Sequence, residues 1–96
     1  MNPPHSPRGS EIYSVYILKS IHDNSLYLGC TSNLEKRVAE HNSNLSEYSK
    51  KHSPWKLIYC ECFVSKADAF AREKALKVNK QGFRRLKERL QNSLNM

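Results

Sequence analysis

Two short runs of alternating apolar residues, separated by a polar turn, constrain the fold of this chain most strongly. The first run occupies residues 12–18 and the second residues 26–30, and each contains a tyrosine, Tyr16 or Tyr27. Alternation with a period of two is typical of β-strands. Because turn-forming residues occupy positions 22–25, the two runs predict a β-hairpin. In the first strand, one face would carry Ser14, Tyr16 and Leu18, and the other face Tyr13, Val15 and Ile17. In the second strand, one face would carry Tyr27 and Gly29, and the other face Leu26, Leu28 and Cys30.

The register of this hairpin decides whether the two tyrosines lie on the same face of the sheet. A hairpin that is symmetric about Ile21 and His22 would place Tyr16 directly opposite Tyr27. A slip by an even number of residues keeps both on one face, and an odd slip separates them. Gly29 in the second strand indicates either a bulge or close packing, or a place where a phosphate approaches the backbone.

A helix is predicted directly after the hairpin. Ser32 and Glu35 fit a capping box, which predicts a helix over residues 33–42. Arg37 and His41 are four residues apart and are therefore neighbours on one flank of it. Taken alone, they fit a solvated arginine beside a partly buried histidine as well as a pair of functional groups. The expected inward stripe is Leu34, Val38 and Leu45.

Residues 43–54 are polar and turn-rich and predict a loop. In this loop Tyr48 and the neighbouring lysines suit stacking on a base and contact with phosphate, and they equally suit a solvated surface. Residues 55–63 predict a third strand, apolar on both faces, as expected for a central strand. Cys60 and Cys62 would be small buried hydrophobes, whereas Glu61 would be a partly exposed carboxylate.

Ser65 is a suitable N-cap for a second helix over residues 66–80. Glu73 would lie about 60° from Phe70, at the edge of the buried stripe. There it could either reach a cleft or pair with Lys77 at the surface. Gly82 would break or cap the chain before a terminal amphipathic helix. The expected inward stripe of the second helix is Ala67, Phe70, Ala71 and Val78, and that of the terminal helix is Phe83, Leu86, Leu90 and Leu94.

The chain of 96 residues allows one small domain. We expect a flexible N-terminal arm at residues 1–10, a domain at residues 11–80 and a basic amphipathic helix at residues 81–96, packed on or extending that domain. No apolar run approaches the ~20 residues that span a bilayer, and the N-terminus lacks the apolar core of a secretion signal, so we expect no membrane contact and a cytoplasmic protein. The net charge of +7 favours a polyanionic partner, although a basic protein without one also fits.

The order of these segments resembles the GIY-YIG nuclease module, in particular its small stand-alone members. The resemblance covers about residues 12–80. The first triplet is Ser14-Val15-Tyr16 and the second Tyr27-Leu28-Gly29, and Cys30 stands where some members carry a lysine. The segments that carry the resemblance are residues 15–18, 26–29, 31–37, His41-Asn42, 54–59 and 71–77.

The fold expected on these grounds is α/β (α+β), with a three-stranded, mainly antiparallel sheet flanked by helices. The resemblance implies an endonuclease that depends on Mg²⁺ or Mn²⁺, cuts DNA in preference to RNA with structural or low sequence specificity, and serves DNA repair, recombination or processing. Tyr16, Tyr27, Arg37 and His41 would be catalytic, and Glu73 would bind the metal. Expected substrate contacts are Gly29, Asn42, Tyr48, Lys77, Arg84 and Arg85.

Two other classes of function stay open. One is a nucleic-acid-binding module of the same fold that has lost the ability to cut, as the missing lysine suggests. The other is a basic adaptor that docks on a protein through Phe83, Leu86 and Leu90. The presence of five polar residues at the family's catalytic and metal positions favours the enzyme.

Overall fold

The computed structural model of the protein describes residues 11–43 and 46–96. Its strands form one antiparallel sheet in the order β2-β1-β3, with helices on both faces, as the sequence predicts. The predicted arm at residues 1–10 and the predicted buried position of Leu45 lie outside the described residues. The elements in chain order are β1 Tyr13–Ser20, β2 Leu26–Thr31, α1 Leu34–Asn42, α2 Glu47–His52, β3 Trp55–Phe63, α3 Lys66–Val78, α4 Lys80–Arg89 and α5 Gln91–Leu94.

The hairpin register places both tyrosines on one face of the sheet. Tyr16 pairs with Gly29 and Leu18 pairs with Tyr27, a slip of two residues from the symmetric register. An even slip preserves the face of every side chain. Asn24, with a φ of 66°, adopts the left-handed conformation in the connecting turn. Ser20 Oγ accepts hydrogen bonds from the backbone N–H groups of His22 and Asp23 and closes that turn.

The central strand is β1, so the prediction that β3 is central is wrong. Val15 and Leu18 are completely buried on opposite faces of β1, whereas β3 pairs only with β1 and lies at the edge of the sheet. Cys60 and Cys62 are consequently exposed and not buried as predicted. The apolar composition of β3 misled the prediction because the two ends of this strand pack against different clusters.

A β-bulge in the β1–β3 pairing explains that division of β3. Ile17 lies opposite Tyr59, but the next residue, Leu18, lies opposite Leu57, so Ile58 is the additional residue. Because of this extra residue, side chains before Ile58 and side chains after it that would share a face in a regular strand lie on opposite faces of the sheet. Leu57 and Tyr59, which were predicted to share a face, are therefore separated.

Two apolar clusters, one on each face, hold the helices to the sheet. On one face Val15 and Ile17 pack with residues of α3 and α4, including Leu76 and Leu86. On the other face Tyr16, Leu18 and Trp55 pack with Leu34 and Val38 of α1, and with Tyr27. The sheet thus separates α1 from α3, and a site that uses both helices must lie where they meet past an edge of the sheet.

The N-terminal caps show where the helix predictions hold and where they fail. Ser65 caps α3 by accepting from Asp68 N, as predicted. Asn33, and not Ser32, caps α1, because the Asn33 Oδ1 accepts from Lys36 N. Residues 47–52 form α2 where a loop was predicted, with Ser46 Oγ as its cap. Gly82 lies inside α4, which Asn79 caps, so the predicted break at Gly82 is wrong.

The predicted inward stripe of α3 is also wrong. Ala69 and Leu76 are the buried residues of this helix. Arg72 and Glu73, three and four residues after Ala69, lie partly buried on the same side. The small side chain of Ala69 lets the helix lie close to the sheet, which turns the bulkier apolar residues outward. These exposed residues are Ala67, Phe70, Ala71 and Val78.

Candidate active site

A buried line of three polar side chains joins the central strand to α1 and α2. The hydroxyl of Tyr16 lies 3.4 Å from Nε2 of His41, and Nδ1 of His41 lies 3.0 Å from Oγ of Ser49. Tyr16 is completely buried and Ser49 is 3% exposed. Ser49 is not among the site residues that the sequence predicts. The signal that was present is the Ser46-x-x-Ser49 spacing, which predicts a capped helix start.

Arg37 gives this line of hydrogen bonds a direction. Its guanidinium, which has donors only, lies close enough to the Tyr16 oxygen for its donors and its positive charge to oppose the rise in the Tyr16 pKa. The Tyr16 O–H is then oriented to donate to His41 Nε2, and His41 Nδ1–H donates to Ser49 Oγ. One tautomer of His41 therefore satisfies every member of the line. The Arg37 Nε–H donates to Glu40 Oε1, 3.1 Å away.

Burial sets the protonation states of the line. Burial, together with the neighbouring Tyr27 and against the opposing effect of Arg37, raises the pKa of Tyr16 to about 12. Burial and the Arg37 charge lower the pKa of His41 below its ordinary value, against the opposing effect of Glu40. At neutral pH Tyr16 is a neutral phenol and His41 a neutral imidazole. The imidazole can therefore accept a hydrogen bond through Nε2.

Tyr27 is the more accessible of the two tyrosines. It is partly buried in β2 and its ring lies 4.4 Å from the His41 ring, centroid to centroid. Tyr48 of α2, predicted to contact substrate, lies 6.2 Å from Tyr27 and is 46% exposed. Trp55 closes the cluster at 6.2 Å from Tyr27 and donates its Nε1–H to Ser49 O. These aromatic rings form a wall whose outer members face solvent.

Arg37 and Glu73 approach the edge strand β2 from opposite faces of the sheet. Burial raises the pKa of the Cys30 thiol, with a further increase from Glu73, while Arg37 and Lys77 oppose the change. Cys30 therefore lies within electrostatic reach of both helices. A cleft of about 380 Å³ opens beside it, lined in part by Cys30, Arg37, Lys66 and Phe70. The structure thus brings Tyr16, Tyr27, Gly29, Arg37, His41 and Glu73 to one region around β2.

A family model described as the GIY-YIG catalytic domain matches residues 12–88 of the chain. The chain belongs to the GIY-YIG family. It is 47% identical over 64 residues to a UPF0213 protein of Staphylococcus haemolyticus, a match that covers 66% of this chain and 77% of that protein. A UPF0213 protein of Clostridium perfringens is also 47% identical over 64 residues, covering 66% and 68%.

A solved structure of the same group has a similar fold. The solution NMR structure of the UPF0213 protein from Bacillus halodurans matches with a TM-score of 0.52 and 26% identity, over 82% of this chain and 86% of that one. The resemblance found in the sequence is therefore confirmed. The chain is a small member of a nuclease family whose enzymes generally use a divalent metal ion, and that membership suggests a nucleic-acid substrate.

Glu73 is the residue of this GIY-YIG domain that could hold such an ion. Its side chain is 21% exposed, and Lys77 Nζ lies 2.9 Å from Oε2. Among the described residues, no hydrogen bond or ion pair reaches Oε1, so this oxygen can face a cation. In residues 11–43 and 46–96 there is no group of three or more His, Cys, Asp or Glu side chains arranged for a metal. One carboxylate completed by water and substrate phosphates suits Mg²⁺, which keeps most of its waters.

The other predicted substrate contacts are distributed over the molecule. Asn42 uses both ends of its amide on Trp55, accepting from its N–H at 2.6 Å and donating to its carbonyl at 3.0 Å. This arrangement fastens α1 to β3. Lys77 pairs with Glu73. Arg84 and Arg85 lie on α4, away from the tyrosines, so the structure does not bring them into the site around β2.

The two arginines line separate clefts. Arg85 shares a cleft of about 270 Å³ with Arg72 and Arg89. Arg72 is held by Glu61 of β3, with Nε and Oε1 2.6 Å apart, which places this cleft at the edge of the sheet opposite β2. Arg84 lines a different cleft together with Lys80 and Lys87. In the part of the chain that the structure describes, no helix is long and apolar enough to cross a membrane.

Proposed function

We propose that this protein is an endonuclease that hydrolyses phosphodiester bonds of nucleic acid with the help of a divalent metal ion. The observation that carries the proposal is the line Arg37–Tyr16–His41–Ser49, with the carboxylate of Glu73 within electrostatic reach of Tyr16 and of Cys30 in the edge strand β2. We expect DNA to be preferred over RNA, and structure to be recognised in preference to sequence, in DNA repair, recombination or processing. No separate base-reading element is present in the described residues.

Arg37 binds the phosphate in this proposal. Its side chain is 40% exposed, while its contacts with Tyr16 and Glu40 fix the orientation of the guanidinium. A planar guanidinium can donate two parallel hydrogen bonds to phosphate oxygens, which a lysine does poorly. Donors placed in advance where negative charge develops stabilise the transition state without reorganisation. Arg37 is therefore the main source of protein charge at the reacting phosphate.

The two tyrosines take different roles. Tyr27 is the more accessible and is the residue that orients the attacking water. Tyr16 is completely buried and has a pKa of about 12, so at neutral pH it is a positioning residue rather than an unaided base. Through its hydroxyl it holds both Arg37 and His41. His41 in turn packs against the Tyr27 ring and limits its movement.

Glu73 would hold the metal ion. When bound, a divalent ion neutralises charge on the phosphate and lowers the pKa of its own water. Lys77 keeps the Glu73 carboxylate in place through Oε2. A single carboxylate binds Mg²⁺ weakly, so substrate phosphate is expected to be part of the binding site.

Cleavage of a panel of substrates tests the proposal. The purified chain is incubated with nicked, flapped, branched and single-stranded DNA and RNA, in Mg²⁺, in Mn²⁺ or in EDTA. We expect cutting of structured DNA in the metal-containing samples only. Arg37→Ala, purified in parallel, excludes a contaminating nuclease. If wild type cuts none of these substrates with either metal, the proposal is wrong.

A second candidate function is a nucleic-acid-binding module that does not cut. Two observations favour it. Cys30 stands where some family members carry a lysine, and Lys77 already occupies one oxygen of the Glu73 carboxylate. Tight, salt-sensitive binding without cleavage in the same panel would identify this function.

A further inference from the structure

We propose that Phe70 is a stacking platform for an unpaired nucleobase beside the phosphate that Arg37 holds. The proposal rests on the proposed endonuclease function and extends it to the class of substrate. It implies that the strand is single-stranded, or has a base displaced from the duplex, next to the bond that is cut.

The exposure of Phe70 is a consequence of how α3 packs. Ala69 occupies the core position, and Phe70 is left 47% exposed. A single exposed aromatic residue is common and by itself indicates nothing. The position of Phe70 is what gives it meaning. It lines the cleft of about 380 Å³ that also contains Arg37 and Cys30, so the ring faces the region where a bound phosphate would lie.

Two cationic side chains share the cleft with the exposed ring, together with the carboxylate of Glu11. Lys66, one turn earlier in α3, places its ammonium 5.5 Å from the ring centroid. Arg37 lines the same cleft from α1. An aromatic surface combined with positive charge is the usual arrangement for binding single-stranded nucleic acid, because a base stacks while its phosphates are neutralised. The cleft that Arg37 lines therefore offers both kinds of contact.

A second lysine–phenylalanine pair in the chain serves as an internal comparison. Lys87 lies 5.1 Å from the centroid of Phe83, but Phe83 packs against the apolar cluster between α4 and the sheet. A cation above a ring is therefore not the distinguishing feature. Phe70 differs because it is exposed and because it shares its cleft with Arg37.

The chemistry of the side chain restricts what it can recognise. Phenylalanine has no hydrogen-bonding group, so it cannot distinguish one base from another by base-edge contacts. The faces of bases in a continuous duplex are covered by their neighbours, whereas a base in a flap, a loop or a single strand exposes a face. Phe70 would therefore select for unpaired structure and not for sequence.

Three variants test this inference. Phe70→Leu keeps apolar area but removes the aromatic face, and Phe70→Tyr keeps the aromatic face. Val78→Ala is the matched control, since Val78 is on the same helix and is 70% exposed. The affinities of each protein for a single-stranded oligonucleotide, a flapped duplex and a continuous duplex are measured by fluorescence anisotropy in EDTA. A 2-aminopurine at each unpaired position in turn reports stacking through its fluorescence.

We expect Phe70→Leu to weaken binding of the single strand and the flap roughly tenfold, about the effect of losing one base–aromatic stack. Binding of the continuous duplex should change by less than about twofold. Phe70→Tyr and Val78→Ala should behave as wild type. At one position near the junction, 2-aminopurine should be quenched by wild type and not by Phe70→Leu. Equal losses on all three nucleic acids, or a Phe70→Leu protein that binds as wild type does, would overturn the inference.

The outcome is separable from that of the proposed function. Binding in EDTA does not require cleavage, so selective loss in Phe70→Leu supports the platform even if wild type never cuts. Conversely, wild-type cleavage with unchanged binding by Phe70→Leu supports the nuclease and rejects the platform. Thermal unfolding of each variant establishes that a loss of binding is not a loss of fold.

Discussion

Gly29 lies directly across the β1–β2 ladder from Tyr16, and the phenol ring of Tyr16 occupies the space where a side chain at position 29 would extend. A Cβ added to Gly29 would lie 2.6 Å from Tyr16 Cζ, far inside van der Waals contact. Because Tyr16 is completely buried, any movement of its ring would displace packed neighbours. The glycine therefore permits the ring position from which the Tyr16 hydroxyl reaches His41.

Gly29→Ala should consequently destabilise the protein and disturb the site. Overpacking of this kind is expected to lower the free energy of unfolding by about 1–3 kcal/mol. Urea denaturation followed by circular dichroism measures the change. Combining Gly29→Ala with Tyr16→Leu should recover part of the loss, since the shorter side chain leaves room for the methyl group.

Gly82→Ala is the matched control for this experiment. A Cβ at position 82 would make ordinary contacts with the Asn79 side chain, with the nearest atoms 3.5 Å away. Gly82 lies inside α4, where alanine is favoured over glycine by about 0.5–1 kcal/mol. We therefore expect this substitution to stabilise the protein. Equal destabilisation by both substitutions would contradict the account of Gly29.

Protonation of His41 should lower the stability of the folded protein at acid pH. Burial and Arg37 lower the pKa of His41 in the folded chain, so below about pH 6.5 the unfolded chain binds this proton more readily. The contribution of His41 to stability is then present above the unfolded pKa and lost as the pH falls. The free energy of unfolding of wild type relative to His41→Gln should decrease from pH 7 to pH 5. A difference between wild type and His41→Gln that stays constant over this range would contradict the prediction.

Tyr16→Phe tests whether Tyr16 acts by positioning its neighbours. The substitution keeps the ring above Gly29 but removes the donor to His41 Nε2 and the acceptor for Arg37. The fold should persist, while single-turnover cleavage falls by roughly 10²-fold, at the low end of acid–base effects. The acid limb of the pH profile of the cleavage rate should also shift, because His41 loses its hydrogen-bond partner. A slower rate with an unaltered pH profile would indicate a different role for the hydroxyl.

The salt-dependent part of DNA binding should depend on the cleft that Arg72, Arg85 and Arg89 line at the β3 edge of the sheet. Arg85 faces a cleft in which Glu61 holds Arg72 in place, whereas Lys74 is exposed on α3. We expect Arg85→Gln to weaken DNA binding uniformly across sequences and to reduce the slope of log K against log salt by about 1. Lys74→Gln removes the same charge and should leave the slope nearly unchanged. Equal effects of the two substitutions would mean that net charge, and not this cleft, determines binding.

The sequence was sufficient for those parts of the site that depend on periodicity. The period of two in β1 and β2 requires Tyr16 and Tyr27 to share a face for any even register, and the helical period brings Arg37 beside His41. Ser49 could not be assigned as the partner of His41, because that contact depends on how α2 packs over α1. The bulge at Ile58 was equally invisible, since it exchanges the faces of β3 without any glycine or proline to mark it.

The orientation of α3 shows a second limit of the sequence analysis. Two stripes compete on this helix, one with the bulky Phe70 and Val78 and one with Ala69 and Leu76. Hydrophobicity favours the first, but the close approach of the helix to the sheet favours the small Ala69. The observed choice turns Glu73 toward the edge of β2 and Phe70 into the cleft. The same packing choice therefore determines both the candidate metal ligand and the candidate base platform.

The contrast between Glu73→Gln and Arg37→Ala tests the division of labour in the proposed reaction. Gln keeps the size and one carbonyl oxygen of Glu73 but lacks the charge that holds a hard cation, so cleavage should be abolished while nucleic-acid binding persists. Arg37→Ala removes a donor to the transition state and should cost roughly 2.7–4 kcal/mol in the single-turnover barrier, with a smaller loss of affinity. Raising the Mg²⁺ concentration should not restore the cleavage rate of Arg37→Ala, because the ion replaces neither the charge nor the geometry of the guanidinium. Glu35→Gln, at an exposed position of α1, is the control for loss of a carboxylate. Equal cleavage rates for wild type, Glu73→Gln and Arg37→Ala at saturating substrate would place the active site elsewhere on the molecule.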